Sequence, residues 1–305
     1  MNPPGARGRD IWTVAAFEWR DALHSRRALA VGLLFLILGL GASWGFLRTL
    51  NRIEGQLVES LGLGSGSETT GNTTAILWES EVFRQIMTRL VGDRALAQRL
   101  LSVPPLGLFF AWLALSGTPL LVMLTATPRI AEDLQQGAAR YVLLRTTRTA
   151  WIIGKFAGQA VLLAGALALG ALATGAVGAL MLTSFEFAPH AAALAQYAFR
   201  AWLYALPFLA LALVCSQVLP GPHLATAVGL ASLIATRILH ALAQRYTAAG
   251  GGRVWDLVDL ALPYAQRGYL WWNDPARLIP AALTLGVLSA AYLAGGLLLF
   301  ERRSL

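Results

Sequence analysis

A chain of 305 residues that is 56% hydrophobic and only 13% charged falls far short of the about 25% charged residues of an average soluble domain. That composition excludes an ordinary soluble enzyme. The apolar residues come in long blocks, so the relevant solvent is lipid. A net charge of +8 with pI ≈ 10.4 would point to nucleic acid in a soluble chain. Here the basic residues sit at the ends of apolar blocks, where they anchor topology and meet anionic lipid headgroups, and no nucleic-acid partner is expected.

From the N-terminus, residues 9–24 wind as a helix with Ile11, Trp12, Ala15, Ala16, Trp19 and Leu23 on one arc. Asp10, Thr13, Arg20, Asp21 and His24 occupy the other arc, and Phe17 interrupts it. The pattern predicts a helix in the membrane interface, anchored by Trp12, Trp19 and Arg20, that enters the first span at an elbow. Residues 1–27 make too long a leader for a signal peptide, so the first apolar block is read as an uncleaved span.

A span needs about 20 apolar residues to cross about 30 Å of hydrocarbon. Six blocks qualify, at 28–47, 106–127, 151–182, 201–219, 224–243 and 278–300. The third and sixth exceed the requirement and are expected to tilt or project. The predicted fold is therefore all-α: a polytopic membrane protein with about six transmembrane helices and an N-terminal elbow helix.

Between the first two spans, residues 48–105 are read as a small external helical segment. A polar loop at 62–74 interrupts it, and an apolar face is built from Val82, Ile86, Leu90, Leu96 and Leu100. Asn72-Thr73-Thr74 matches a short glycosylation pattern. Residues 244–277 are read as external interfacial helices: 254–277 is too polar to cross, and its Trp255, Tyr264, Tyr269, Trp271 and Trp272 suit headgroup depth. Charges beside short loops set orientation. Arg20, Arg26 and Arg27, then Arg129, Arg140, Arg145 and Arg148, and finally Arg302 and Arg303 all place both termini in the cytoplasm.

The loop at 128–150 carries the most information. Pro128 can open a helix whose positive end favours Glu132 and Asp133. Gly137 can end it in the left-handed conformation, a second short helix with Tyr141, Val142 and Leu144 follows, and Thr146 or Thr147 can cap the next span. A compact helical knob at the cytoplasmic face results.

The series Glu132, Gly137, Leu143-Leu144, Arg148 and Gly154-Lys155, placed between the second and third spans, resembles the signature of type-2 ATP-binding cassette permeases. Phe17-Glu18-Trp19-Arg20 in the elbow and the closing 300–305 stretch, Phe-Glu-Arg-Arg-Ser-Leu, add to the resemblance. The chain departs from the pattern at Ala138, where the family usually has threonine. It also lacks a proline near Arg145.

The resemblance implies that this loop is a coupling helix for a separate ATPase subunit, with Glu132, Asp133, Gly137, Arg140, Leu143, Leu144, Arg148, Gly154 and Lys155 contributing. It implies a permease, exporting a hydrophobic or amphipathic substrate and working as a dimer, a homodimer of this chain, in the bacterial inner membrane. ATP and magnesium would bind the partner and no cofactor this chain. In keeping with this, no phosphate-binding loop occurs here: Thr149 stands where its first glycine belongs, and Phe156 where its hydroxyl belongs.

Other classes find little support. Arg237 and His240 in the fifth block are the ionisable candidates for a pathway, although Arg237 reads first as a side chain that snorkels or pairs internally. A secondary transporter or channel would want acidic or paired groups at mid-membrane, and an intramembrane enzyme a nucleophile with its base. The lone Cys215 and the scattered His24, His190, His223 and His240 suggest no metal site. An assembly factor for an external protein, built on the same ATP-driven architecture, would use residues 48–105 for docking.

Overall fold

The structure, a computed structural model, describes residues 4–24, 27–60, 85, 88, 93–182, 185–250 and 252–302. The readings at 62–74, including the 72–74 glycosylation pattern, and those of Val82, Ile86, Leu90, Arg26 and Arg303 lie outside the described residues. Among the described residues the elements are helices only: α1 (Pro4–His24), α2 (Arg27–Ser60), α3 (Arg94–Leu101), α4 (Pro105–Ala126), α5 (Pro128–Gln135), α6 (Ala138–Leu143), α7 (Arg148–Met181), α8 (Phe187–Val218), α9 (Pro222–Ala248), α10 (Arg253–Leu260), two 3-10 turns (Pro263–Gln266 and Gly268–Trp271) and α11 (Pro275–Glu301). Six runs are long and apolar enough to cross a membrane: Leu29–Arg52 in α2, Pro105–Gln135 through α4 and α5, and α7, α8, α9 and α11. The chain is an all-α polytopic membrane protein.

Helices do not end where apolar blocks end. α2 continues to Ser60, and α8 begins at Phe187, well before the apolar block at Ala201. Intrahelical hydrogen bonding satisfies the backbone on both sides of a membrane boundary, so polarity marks where water begins and the helix runs on. In α3, Asp93 supplies the start: its carboxylate accepts from the backbone N–H of Ala95 at 2.8 Å and of Leu96 at 3.2 Å, an N-cap that satisfies otherwise orphaned donors.

The chain divides into two compact units. One comprises Met1–Val31, Leu115–Gly165 and Arg200–Leu305; the other comprises Gly32–Ala114 and Ala166–Phe199. In the second, Leu47, Leu106 and Val177 form a buried core, Phe46 stacks on Phe109 at 4.3 Å, and buried Ser43 donates to Thr174 Oγ1 at 3.0 Å.

In the first unit α1 lies against α7. A Cβ added at Gly154 would sit 2.6 Å from Val14 Cβ, and one at Gly158 would sit 2.8 Å from Glu18 Cβ. This small-residue notch lets the two helices approach closely, and it decides which face of α1 is buried. Val14, Ala15, Glu18 and Ala22 turn inward, whereas Trp12 is 75% exposed and Trp19 38% exposed. The apolar arc read from sequence is thus only partly the packing face: Ala15 belongs to both, and the two tryptophans and Arg20 remain outside.

The segment between α9 and α11 folds back along the helices. Arg267 Nη2 donates to Ser116 Oγ at 2.6 Å, and Ser116 lies about 16 Å from the Pro105 end of α4 at 1.5 Å per residue. Arg200 Nη1 donates to the Leu270 carbonyl at 2.8 Å, and its Nη2 donates to Asn273 Oδ1. Arg200 itself is about 20 Å from the Phe187 end of α8. Leu270 is fully buried as a result.

Candidate functional site

The loop between the second and third span-length runs is a helical hairpin, and its local chemistry follows residue by residue. Pro128 occupies the first turn of α5, where a missing N–H is harmless. The Gln136 N–H closes on the Glu132 carbonyl at 2.9 Å, and the Gly137 N–H on that of Leu134 at 3.3 Å. Gly137 then adopts φ 74°, ψ 0°, a left-handed conformation that glycine takes without steric penalty, and α6 starts at the next residue. Thr147 Oγ1 accepts from the Ala150 N–H at 3.2 Å, capping α7.

Beneath the hairpin lies an apolar core of Val14, Ile130, Ala139, Trp151, Ile152, Leu213 and Phe300, with Leu134, Val142, Leu143 and Phe156 packed against it. Leu143 therefore faces inward, whereas its neighbour Leu144 is 83% exposed and Tyr141 77% exposed. Arg140 is also exposed.

A charge cluster ties three elements together. Lys155 is the chain's only lysine and is buried. It is ion-paired with Glu18 of α1 and with Asp133 of α5 at 2.6 Å. An ammonium removed from water is tolerated only when paired, and two carboxylates supply that pairing. Glu132, the neighbour of Asp133, lies 3.8 Å from Arg129, whose Nε donates to the Thr125 carbonyl at 3.1 Å.

Arg148 also turns inward. Its Nη1 donates to the carbonyls of Phe300 at 2.9 Å and Glu301 at 3.1 Å, and its guanidinium lies 5.3 Å from the Phe300 ring centroid. A cation on the last carbonyls of α11 is the favourable partner for that end of the helix dipole.

The structure thus divides the residues singled out in the sequence into two sets. Arg140 and Leu144 are presented outward, with Gly137 turning the chain between the two helices. Leu143, Arg148, Gly154 and Lys155 lie behind that surface: Gly154 receives α1, Lys155 joins α1 to α5, and Arg148 holds the end of α11. Glu132 and Asp133 line a cleft of ≈ 710 Å³ between α1 and the hairpin, together with Thr13, Phe17, Asp21, Tyr141, Leu144 and Arg145. Sequence reasoning placed Glu18 only as a weak mark in the elbow. Its signal was a carboxylate on α1 in a chain with a single lysine.

Arg237 and His240 stand apart from the hairpin. His240 is buried, pairs through Nδ1 with Asp259 Oδ1 at 2.6 Å and stacks on Tyr264 with ring centroids 5.9 Å apart. Arg237 places its guanidinium 5.2 Å from the Tyr264 ring centroid. Among the described residues, no three His, Cys, Asp or Glu side chains converge as a metal site.

A family model described as "ABC-2 family transporter protein" matches residues 12–249. No curated protein matches the chain significantly. The matched stretch runs from α1 through the hairpin to the end of α9 and covers most of the sequence, so the chain belongs to the ABC-2 transporter family as its membrane-embedded permease component.

Proposed function

We propose that this permease forms the transmembrane path of an ATP-driven exporter. Two copies of the chain associate with two ATPase subunits, which bind ATP and magnesium, and the cargo is hydrophobic or amphipathic. The chain lies in the bacterial inner membrane with both termini and the α5–α6 hairpin in the cytoplasm. The hairpin is the coupling element. Nucleotide-driven closure of the ATPases presses on Tyr141 and Leu144, and the span-length helices respond as levers that alternate access to the path.

One observation supports this reading above others. Two large apolar side chains, Tyr141 in α6 and Leu144 at its end, stand exposed, while α6 rests on the core around Trp151 and the preceding helix of the hairpin, α5, is held from the side by the Lys155 cluster through Asp133. Exposed apolar residues on a rigid support are what a protein contact requires.

Leu144→Asp tests it, because the side chain touches solvent and the substitution leaves the core intact. The expected outcome is a permease at wild-type level in the membrane that no longer co-purifies with its ATPase and no longer stimulates hydrolysis. Unchanged association and unchanged hydrolysis would remove the coupling assignment.

A further inference from the structure

Away from the hairpin, one arginine lies over an aromatic ring, and a second follows that ring three residues later in the chain. Arg237 sits about 16 Å from the Ala248 end of α9, its guanidinium 5.2 Å from the centroid of Tyr264. Arg267 follows Tyr264 in the folded-back segment, and its Nη2 donates to Ser116 Oγ of α4. Neither arginine forms an ion pair among the described residues. The carboxylate that the His240–Tyr264 stack brings into this neighbourhood, Asp259, is engaged by His240.

Beside them lies Tyr204 of α8. It is 0% exposed, its ring packs edge-on to Tyr264 at 6.5 Å, and its hydroxyl has no hydrogen-bond partner. Buried hydroxyls are nearly always satisfied. Both guanidiniums also act on the Tyr264 hydroxyl: burial pushes its pKa up, and Arg237 and Arg267 pull it down.

An arginine at mid-helix depth ordinarily pairs with a carboxylate or reaches for the helix end. Here the Arg237 guanidinium instead lies over a phenol ring, Arg267 follows that ring by three residues, and the adjoining phenol, Tyr204, is a buried donor without an acceptor. The missing component is a group with several acceptor oxygens and negative charge. Guanidinium forks match a phosphate in geometry as well as charge, and the hydroxyls can donate to its remaining oxygens.

We propose that Arg237, Arg267 and the hydroxyls of Tyr204 and Tyr264 bind a phosphate group, carried by an anionic lipid or amphiphile or supplied as the free ion. The site lies within the permease, so its test needs no ATPase and its failure leaves the coupling reading untouched.

Thermal unfolding of the purified full-length chain in neutral detergent, with phosphatidylglycerol, phosphatidylcholine or inorganic phosphate added, measures binding. Saturating phosphatidylglycerol is expected to raise the midpoint by about 5 °C, phosphatidylcholine not at all. R237Q and R267Q should each lose at least half of that rise, whereas R245Q, which removes an exposed arginine from the same helix, keeps it. An equal rise with inorganic phosphate identifies the free ion as sufficient; a rise with phosphatidylglycerol alone identifies a lipid headgroup.

Should either glutamine variant fail to fold, the Y204F and Y264F double variant carries the test, with the same loss expected. No rise with either anion, a rise preserved in R237Q, R267Q and the double tyrosine variant, or an equal loss in R245Q would overturn the assignment.

Discussion

Lys155→Met removes the cation that holds α1 and α5 to α7 and leaves the volume of the side chain in place. Truncating one partner of a buried ion pair costs about 3–5 kcal/mol, because the other charge stays buried without compensation. Two carboxylates would be stranded here, with side-chain exposures of 11% for Glu18 and 29% for Asp133. Asp133 can hydrate and Glu18 largely cannot, so the lower end applies, about 3 kcal/mol. In a chain of this size that is a fall of roughly 6 °C in the unfolding midpoint, read by tryptophan fluorescence of the purified permease in detergent. The triple variant Glu18→Gln, Asp133→Asn, Lys155→Met removes the stranded charges too and should recover to within about 1 kcal/mol of wild type. A single variant within one degree of wild type, or a triple variant no better than the single, would refute the claim that this cluster is a buried, mutually compensating unit.

Two further predictions test the frame around it. Arg148→Gln deletes charge-assisted hydrogen bonds to the Phe300 and Glu301 carbonyls and should cost about 2 kcal/mol; amide exchange should quicken in the last turn of α11 and nowhere else, and unchanged exchange there would show that Arg148 holds nothing. Gly137→Ala forces a Cβ into a backbone at φ 74° and should cost about 1 kcal/mol, visible as a small fall in midpoint, whereas an equal or higher midpoint would contradict the left-handed turn.

The fold class was legible because apolar length is a direct readout of membrane thickness, and six blocks gave six span-length runs. The Gly137 turn was legible for an equally local reason, since a glycine after a proline-initiated amphipathic turn can end it in the left-handed region. Long-range choices were not legible. The buried face of α1 is set by the Gly154–Gly158 notch on α7, and the Glu18–Lys155 contact joins residues 137 apart in sequence, so no window along α1 reveals that its carboxylate is buried. Arg200 was missed for a related reason: it borders an apolar block in the sequence but lies well inside α8, where its guanidinium fixes the folded-back segment through Leu270 and Asn273.

The placement of the hairpin residues bears on what a loss of function would mean. Leu144 is exposed, whereas Lys155 is buried and, among the described residues, ion-paired with Glu18 and Asp133 beside the Trp151 ring, so the two positions can fail for different reasons. A partner-binding surface lost at Leu144→Asp leaves stability unchanged, because an exposed side chain contributes little to folding. A frame lost at Lys155→Met lowers stability first and association only as the hairpin shifts. If coupling runs through the hairpin as a rigid body, the triple variant, stable but without its ion pairs, should regain ATPase association together with its midpoint. Recovery of stability without recovery of association would mean instead that the charges themselves carry the signal, and that the cluster is part of the switch rather than its scaffold.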